Sequence, residues 1–238
     1  MRAFIAGATG YTGRHLVQHL REAGHEAIAH IRPDSRSLTA WKPRFEALGA
    51  TVDTTAWDPG PLAETLTRTA PTHVFALLGT TAARQRKHEP DASYERVDRD
   101  LTLLLLEAAE TASSSPVFVY LSSLGADKPR GNRYLRARSE VEARLARSPL
   151  PWISARPSFI TGPDREEDRL GERLGAVVGD STLAVLGMLG ARTLRDRYSS
   201  LTGAQLGQAL LGVAADPEAR NVVVQTDELR GYLHPATG

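Results

Sequence analysis

A glycine-rich turn directly after the first apolar segment restricts the fold of this chain more than any other feature of its sequence. The apolar run Ala3–Ala6 ends at Gly7. Gly10 and Gly13 complete a G-x-x-G-x-x-G spacing, and an amphipathic pattern continues over residues 14–23. This order predicts a strand, a tight turn and a helix, because glycine has no Cβ and adopts the backbone conformations that such a turn requires.

The same turn indicates a phosphate-binding site. Gly10 lets the main chain approach a pyrophosphate, and Gly13 lets the helix pack close to the strand. The amides at the helix N-terminus and the positive end of its dipole would hold the phosphates. An ordinary strand–helix turn can carry the same glycines, but the flanking strand and helix favour dinucleotide binding. The candidate cofactor-binding residues of this turn are Gly7, Thr9, Gly10, Tyr11, Thr12 and Gly13.

The composition excludes several classes of protein. The chain has 238 residues, a net charge of +1 and a hydrophobic fraction of 41%, which suits one large α/β domain. The nearly neutral charge argues against a dedicated nucleic-acid-binding protein, and no apolar run is long enough to span a bilayer. The chain contains no cysteine, which excludes disulfides and thiolate sites.

Histidine spacing gives little indication of a metal site. His15 and His19 are the one pair with close spacing, and we interpret them as part of a solvated helix face. We therefore expect a cytoplasmic protein without a structural metal and without nucleic-acid or membrane partners.

Short apolar segments alternate with helical patterns, which is typical of a parallel sheet covered by helices. The sequence therefore predicts an α/β fold with a doubly wound parallel sheet of six to seven strands. The predicted strands are Arg2–Ala6, Glu26–Ile31, Ala50–Ala56, His73–Leu78, Val117–Ser122, Trp152–Arg156 and Asn221–Gln225. The predicted helices cover residues 12–23, 41–48, a segment after Pro61 that ends near Thr69, 94–112, 134–146 and 203–215.

The regular alternation weakens after Pro157. We interpret residues 158–200 as a small irregular cap over the carboxyl edge of the sheet, within a single domain that covers residues 1–238. Two charged runs, 84–88 and 165–169, are interpreted as solvated surface segments. Contact of the first run with an anionic substrate is the alternative.

The loop after the second strand predicts the choice of cofactor. NAD-binding sites usually place an acidic residue at the end of this strand, where it binds the ribose hydroxyls. Here the strand is followed by Arg32, Ser35 and Arg36, which can bind a 2′-phosphate. A solvated surface loop is the alternative, but the glycine turn upstream favours NADP over NAD.

A serine and a tyrosine form the candidate catalytic pair. Ser123 follows the predicted strand 117–122, and Tyr134 lies eleven residues further on, near the start of the next predicted helix. Both positions can converge at the same edge of the sheet. Such a pair is common, and taken alone it is better explained by a serine that caps a helix and a tyrosine that packs.

Together these residues resemble the short-chain dehydrogenase/reductases in their extended or atypical branch, and within it the Tat-interacting-protein oxidoreductase group. The resemblance covers residues 1–175 and rests on several stretches. They are Gly7–Gly13, Leu78–Thr81, Val97–Asp100, Leu121–Lys128, Tyr134–Leu135, Glu140–Ala143, Arg156–Ser158 and Gly171–Glu172.

The resemblance implies a reaction and a role for each matching residue. Ser123 would hydrogen-bond a substrate carbonyl, Tyr134 would donate or accept the proton, and hydride would pass between nicotinamide and the carbonyl carbon. Arg138 stands where the family has a catalytic lysine, four residues after the tyrosine. Cofactor contacts are also implied: Asp58 at the adenine, Leu78, Gly79 and Thr80 at the riboses, and Pro157 and Ser158 at the nicotinamide amide.

Two functions remain open at this point. The first is an NADP-dependent oxidoreductase for a small carbonyl or quinone substrate. The second is a non-catalytic NADPH-binding sensor or partner-binding protein, because arginine is bulkier than lysine and is essentially never deprotonated. A homodimer through the helices at 94–112 and 134–146 is a further expectation.

Overall fold

The structure is a computed structural model that describes residues 1–80, 93–158, 160–161 and 200–233. The charged runs 84–88 and 165–169 lie outside the described residues, as does nearly all of the expected cap 158–200. Within the described ranges, no helix is long and apolar enough to cross a lipid bilayer.

Parallel strands and the helices between them make up the described chain. The strands are β1 Arg2–Ala6, β2 Glu26–His30, β3 Thr51–Asp53, β4 His73–Ala76, β5 Val117–Leu121, β6 Trp152–Arg156, β7 Ile160–Thr161, β8 Leu201–Thr202 and β9 Val222–Gln225. The helices are α1 Tyr11–Glu22, α2 Leu38–Ala47, α3 Pro59–Thr69, α4 Leu101–Thr111, α5 Arg133–Leu145, α6 Gly203–Ala215 and α7 Thr226–Gly231, and a π-helical segment, Tyr94–Asp100, precedes α4.

The central sheet has seven parallel strands in the order β3-β2-β1-β4-β5-β6-β9. This order confirms the predicted doubly wound parallel sheet. The strands β7 and β8 pair with each other in a separate short sheet. Strand order reverses between β1 and β4, and ligands of such sheets bind beyond the carboxyl ends of the strands at this point.

The sheet is covered on both faces. In β1, Ala3 and Ile5 belong to one core, and Phe4 and Ala6 belong to the other; all four are fully buried. The first core includes the apolar sides of α1 and α6. The second includes those of α3, α4 and α5. Strands buried on both faces are apolar throughout, which is why the sequence shows continuous runs rather than strict alternation.

The predicted helix over residues 94–112 is divided in the structure. Its first part is the π-helical segment, and its second part is α4. The side chains of Leu105 and Leu106 are fully buried in the second core, whereas Leu103 and Leu104 are half-buried. The homodimer expected through residues 94–112 and 134–146 remains a prediction.

The interpretation of His15 and His19 as a solvated helix face is wrong. Both residues are half-buried, and the Nε2 atom of His19 lies 3.1 Å from the carbonyl oxygen of Ala204 in α6. A Cβ on Gly207 would lie 3.0 Å from the amide nitrogen of Leu16. Glycine in α6 therefore lets this helix pack directly on α1 and cover the histidines.

The end of the chain also differs from the prediction. The helix α7 follows β9 directly, although the sequence analysis ended regular structure at residue 225. Glu228 accepts a hydrogen bond from the amide of Gln225 at 2.6 Å. This reciprocal capping arrangement begins a short helix that hydrophobic periodicity over six residues cannot reveal.

Candidate functional site

The glycine turn joins β1, α1 and the end of β4 through close backbone contacts. Gly7 has a φ of +85°, and a Cβ there would lie 2.6 Å from the carbonyl oxygen of Leu77. A Cβ on Gly13 would lie 2.2 Å from the carbonyl oxygen of Gly7. The amide of Gly10 donates to that same oxygen at 3.0 Å. Backbone packing therefore requires glycine at Gly7 and Gly13, and Gly10 is exposed at the turn.

The N-terminus of α1 fits an anionic group. Its cap residue is Gly10, which offers no side-chain hydrogen bond to the first-turn amides, and the first turn contains no acidic residue. Thr12 is buried in this turn, and Thr9 is half-buried before it. The hydroxyl of Tyr11 donates to the carbonyl oxygen of Thr161 at 3.1 Å. The positive end of the helix dipole is thus left for a phosphate.

The loop after β2 places the predicted 2′-phosphate residues on the surface. Arg32 and Arg36 are exposed, and Ser35 is half-buried. The Arg32 guanidinium lies 3.6 Å from the carboxylate of Asp34, and both side chains are largely solvated. The amide of Ser35 donates to the carbonyl oxygen of Arg32 at 3.0 Å, which closes a turn before α2.

The ends of β2 and β3 form a small polar and aromatic cluster. His30 is buried, and its Nε2 atom lies 2.8 Å from the carbonyl oxygen of Thr55. The ring of Trp57 meets the His30 ring edge to face at 5.1 Å. Burial lowers the pKa of His30 below its ordinary value. The next residue, Asp58, is the exposed N-cap of α3, at the place predicted to lie by adenine.

Arg138 is the most connected side chain at the carboxyl edge of the sheet. Its Nη2 atom donates to the carboxylate of Asp98 at 2.6 Å and to the carbonyl oxygen of Leu78 at 3.0 Å. Its Nη1 atom donates to the carbonyl oxygen of Leu121 and, at 3.3 Å, to the hydroxyl of Tyr120. The arginine thus binds the ends of β4 and β5 and the π-helical segment together.

Neighbouring groups hold Arg138 in its charged form. Burial opposes that charge, but the phenols of Tyr120 and Tyr134 and the carboxylate of Asp98 outweigh it and hold the pKa of Arg138 well above its ordinary value. Burial likewise raises the pKa of Tyr120. The guanidinium carbon of Arg138 also lies 5.2 Å from the centre of the Tyr134 ring. A fixed positive charge therefore stands beside the predicted proton donor.

The segment after β4 is shaped by the same ion pair. The amide of Thr80 donates to the second oxygen of the Asp98 carboxylate at 2.9 Å. A Cβ on Gly79 would lie 2.9 Å from Nη2 of Arg138. Leu78, Gly79 and Thr80 are therefore held at the carboxyl edge, where the resemblance places the riboses.

The loop after β5 brings Ser123 toward the first turn of α5. Ser123 is buried, and its hydroxyl lies 3.5 Å from the carbonyl oxygen of Leu124. Gly125 has a φ of +87°, and a Cβ there would lie 3.4 Å from the side chain of Leu135. The loop therefore lies against the side chain of Leu135, which directly follows Tyr134 in α5.

Tyr134 lies in the first turn of α5. The side chain of Asn132 caps this helix by accepting a hydrogen bond from the Leu135 amide at 3.1 Å. The half-buried ring of Tyr134 meets the ring of Tyr94 at 5.3 Å. The N-terminal cap of α5 and the π-helical segment, which are distant from each other in the sequence, therefore fix the position of Tyr134.

The residues after β6 complete the edge. The carbonyl oxygen of Pro157 accepts from the amide of Leu124 at 2.9 Å. The amide of Ser158 donates to the buried hydroxyl of Thr226 at 2.8 Å. Pro157 and Ser158 thus lie next to the Ser123 loop, and their contact with a nicotinamide amide remains a prediction.

Three polar groups around this ion pair have no hydrogen-bond partner in the described part of the chain. They are the hydroxyls of Thr80 and Ser122 and the Nε atom of Arg138, and all three atoms are buried. A buried polar group without a partner costs about 1–3 kcal/mol. Hydroxyl groups of a ribose would satisfy such donors and acceptors, so the edge fits a dinucleotide as the glycine turn does.

Sequence reasoning missed three residues of this site. Asp98, Ser122 and Thr226 are buried and polar at the carboxyl edge, yet none had been given a role. Only Asp98 had a usable signal, because a carboxylate shortly before the apolar run 101–106 is unusual in a helix that packs on a core.

Comparison with known proteins gives matches over most of the chain. The model of the NAD dependent epimerase/dehydratase family matches residues 3–178. The protein FMP52, mitochondrial, of Coccidioides immitis is 28% identical over 207 residues, which are 82% of this chain and 78% of that protein. The protein HTATIP2 of Rattus norvegicus is 39% identical over 100 residues, which are 42% of this chain and 39% of that protein.

A solved structure supports the fold at lower identity. The UDP-glucose 4-epimerase of Thermus thermophilus, solved in complex with NAD, superposes with a TM-score of 0.63 at 17% identity and covers 98% of this chain and 82% of that one. The cytoplasmic location remains a prediction, since the fungal relative is named mitochondrial.

These matches confirm the resemblance drawn from the sequence, including the one to the Tat-interacting-protein group. They support a nucleotide-binding role of the oxidoreductase type with an NAD(P) cofactor. By its family match over residues 3–178 and its seven-stranded parallel sheet, the chain belongs to the NAD dependent epimerase/dehydratase family.

Proposed function

We propose that this protein is an NADP-dependent oxidoreductase that acts on a small carbonyl compound or quinone. One observation carries the proposal: the charged Arg138 lies beside the Tyr134 ring and also donates to the carbonyl oxygen of Leu121, two residues before Ser123. The guanidinium carbon of Arg138 lies 5.2 Å from the Tyr134 ring centre. A hydrogen-bond donor, a proton donor and a fixed positive charge at one edge suit the reduction of a carbonyl group.

The described residues would hold the dinucleotide along the edge of the sheet. The glycine turn and the N-terminus of α1 would bind the pyrophosphate, and Asp58 would lie by the adenine. Leu78, Gly79 and Thr80 would border the riboses, and Pro157 and Ser158 would contact the nicotinamide amide. When bound, the nicotinamide supplies or accepts the hydride.

The side chains at the reaction centre would orient the substrate and move one proton. Ser123 donates a hydrogen bond to the carbonyl oxygen and so fixes the orientation of the substrate. Tyr134 transfers its phenolic proton to that oxygen during reduction and takes it back during oxidation. Arg138 stabilises the negative charge that develops on the phenol, and Asp98 offsets part of this effect because it shares the same guanidinium.

A spectrophotometric screen of NADPH oxidation tests the proposal. Aldehydes, ketones and quinones are offered to the purified full chain, and we expect turnover with at least one class that is abolished by heat denaturation. Background rates with every acceptor, together with tight NADPH binding, would contradict the enzymatic function and leave cofactor binding intact.

The preference for NADP is tested separately at the loop after β2. We expect Arg32→Ala to weaken NADPH binding and to leave NADH binding nearly unchanged. A charged hydrogen bond contributes about 1.5–3 kcal/mol, and the exposure of Arg32 brings the expected loss toward the lower figure. If the affinities for NADPH and for NADH fall equally, the loop does not bind the 2′-phosphate.

A second candidate function is a dinucleotide sensor with little chemistry. The observation that favours it is the engagement of Arg138, whose guanidinium is shared among Asp98, Leu78 and Leu121. A large thermal shift with NADPH and with NADP, without turnover, would support the sensor. Arg138→Lys separates the two functions, since a lysine would raise the reductase rate of an enzyme and would create no turnover in a sensor.

A further inference from the structure

Arg14 follows the last glycine of the turn, and its guanidinium lies between two aromatic rings. The guanidinium carbon is 5.1 Å from the centre of the Tyr11 ring and 5.7 Å from the centre of the Trp41 ring. Both distances lie within the range of cation–π attraction. The side chain is half-buried, so it is held at the first turn of α1 rather than extended into solvent.

Both rings are themselves fixed by neighbouring contacts. The Tyr11 hydroxyl bonds to the carbonyl oxygen of Thr161 at 3.1 Å, and the Tyr11 ring meets His15 edge to face at 5.5 Å. The Trp41 ring packs on Phe45 at 5.4 Å between ring centres, and Trp41 is half-buried against the first core. The platform that carries Arg14 is therefore part of the packed structure.

The contact with Trp41 places Arg14 between α1 and α2. Trp41 belongs to α2, which begins directly after the loop that carries Arg32 and Arg36. The amide of Leu38 in its first turn donates to the carbonyl oxygen of Ser35 at 3.0 Å. The first turns of α1 and α2 contain no acidic residue. Arg14 thus lies between the first turn of α1 and the helix α2, which follows the loop after β2.

The three arginines differ in how much freedom a bound phosphate would remove. Arg32 and Arg36 are exposed, so binding must order two long side chains at the cost of their conformational entropy. Arg14 is already ordered by its two rings, and a planar guanidinium can stack and donate hydrogen bonds at the same time. A preorganised donor contributes more net affinity than an equivalent mobile one.

We propose that Arg14, held by Tyr11 and Trp41, is a specificity-determining residue that binds the phosphate on the adenosine ribose of the cofactor. This inference rests on the proposed NADP preference. In this inference Arg14 contributes most of the preference for NADP over NAD, and Arg32 and Arg36 contribute less.

Calorimetric titration of the full chain with 2′,5′-ADP and with 5′-AMP tests the assignment, because the two probes differ only in the phosphate concerned. We expect Arg14→Met to weaken 2′,5′-ADP binding about tenfold or more and to change 5′-AMP binding about twofold or less. Arg44→Met is the matched control. Its guanidinium also lies over Trp41, at 5.0 Å, but it belongs to the last turn of α2, and we expect both affinities to stay unchanged.

Two further variants keep the test decisive if Arg14→Met folds poorly. Trp41→Leu keeps the charge of Arg14 and removes one ring. We expect it to lower the affinity for 2′,5′-ADP by an intermediate amount and to leave the affinity for 5′-AMP unchanged. Arg14→Lys keeps the charge and removes the planar group, and a similar intermediate loss is expected. Thermal melting and circular dichroism of each variant identify those that are folded.

The outcomes separate this inference from the proposed function. A wild-type chain that binds 2′,5′-ADP no better than 5′-AMP would overturn the NADP preference and this inference with it. A wild type that discriminates, together with an Arg14→Met variant that discriminates equally well, would overturn the role of Arg14 alone. If Arg14→Met and Arg44→Met lose the same affinity for 2′,5′-ADP, the preference over 5′-AMP comes from the overall positive charge. That result would also overturn the role of Arg14.

Discussion

Arg138 and Asp98 form an ion pair of 2.6 Å beneath the carboxyl ends of β4 and β5. The two residues lie 40 positions apart in the sequence, on α5 and on the π-helical segment. The side chain of Arg138 is 5% exposed and that of Asp98 is fully buried. Because Asp98 also accepts from Thr80, and Arg138 also donates to two strand-end carbonyl groups, this pair fixes the edge at which the cofactor is expected to bind.

Removal of the charge at Asp98 should strongly destabilise the protein. Asp98→Asn keeps the shape of the side chain but leaves a buried guanidinium without its counter-charge, and breaking such a pair costs about 3–5 kcal/mol. Urea unfolding at neutral pH measures the loss. Glu140→Gln is the control, since Glu140 pairs with Arg99 at 2.8 Å but is 43% exposed, and we expect a loss below about 1 kcal/mol. If both variants lose a similar free energy of unfolding, burial does not strengthen the ion pair between Arg138 and Asp98.

Tyr134→Phe tests the proton donor. The substitution removes the phenolic proton and keeps the ring, so we expect the reductase rate to fall about 10²–10⁴-fold while NADPH affinity is largely retained. Tyr94→Phe is the matched variant, because its ring contacts Tyr134 at 5.3 Å and it has no proposed part in proton transfer. If Tyr134→Phe retains the full rate, proton transfer belongs to another group.

Gly13→Ala should disrupt the glycine turn. The new Cβ would lie 2.2 Å from the carbonyl oxygen of Gly7, so the backbone must move, at a cost of about 1–3 kcal/mol or more. We expect lower stability and a loss of dinucleotide binding in thermal-shift titrations. Gly231→Ala in α7 is the control, since no atom outside its chain neighbours and the backbone of its own helix lies within 4 Å of its new Cβ. An alanine at Gly13 that binds NADPH normally would contradict the proposed turn geometry.

His73 should make the fold sensitive to mild acid. Burial is the main reason that the pKa of His73 falls to about 4, and the nearby charge of Arg220 adds to it. The Nε2 atom of the neutral ring lies 3.1 Å from the carbonyl oxygen of Ala214. The unfolded chain protonates this histidine near its ordinary pKa of 6.5, so the unfolded state binds more protons below that pH. The free energy of unfolding therefore falls as the pH decreases from about 6.5 to about 4. Below about pH 4 protonation of His73 lowers it no further.

His73→Gln isolates this contribution, because glutamine can still donate to Ala214 but does not titrate in this range. We expect the stability advantage of the wild type over the variant to shrink by at most about 3 kcal/mol between pH 7 and pH 4. Urea unfolding at several pH values measures the difference, and the other histidines contribute equally to both proteins. A difference that is constant with pH would contradict the lowered pKa.

Local sequence patterns were sufficient to predict the fold class. Alternation of apolar runs and amphipathic segments depends on residues close in sequence, and it predicted the parallel sheet and most of its helices. The glycine turn was equally readable, because the conformation at Gly7 and the packing at Gly13 are requirements of the local backbone. In the structure this turn follows β1, next to the point where the strand order reverses, which the sequence analysis did not predict.

The sequence by itself determined the sheet, the glycine turn and the order in which the edge residues follow their strands, because each depends on short-range periodicity or on one residue type. Only the tertiary structure decided that Arg138 pairs with Asp98, that Thr226 binds Ser158, and that α6 covers the histidines of α1. These contacts join segments 40, 68 and 185 residues apart. A buried polar group costs free energy unless a partner bonds to it, and no local pattern identifies that partner, since burial is known only once the elements have packed.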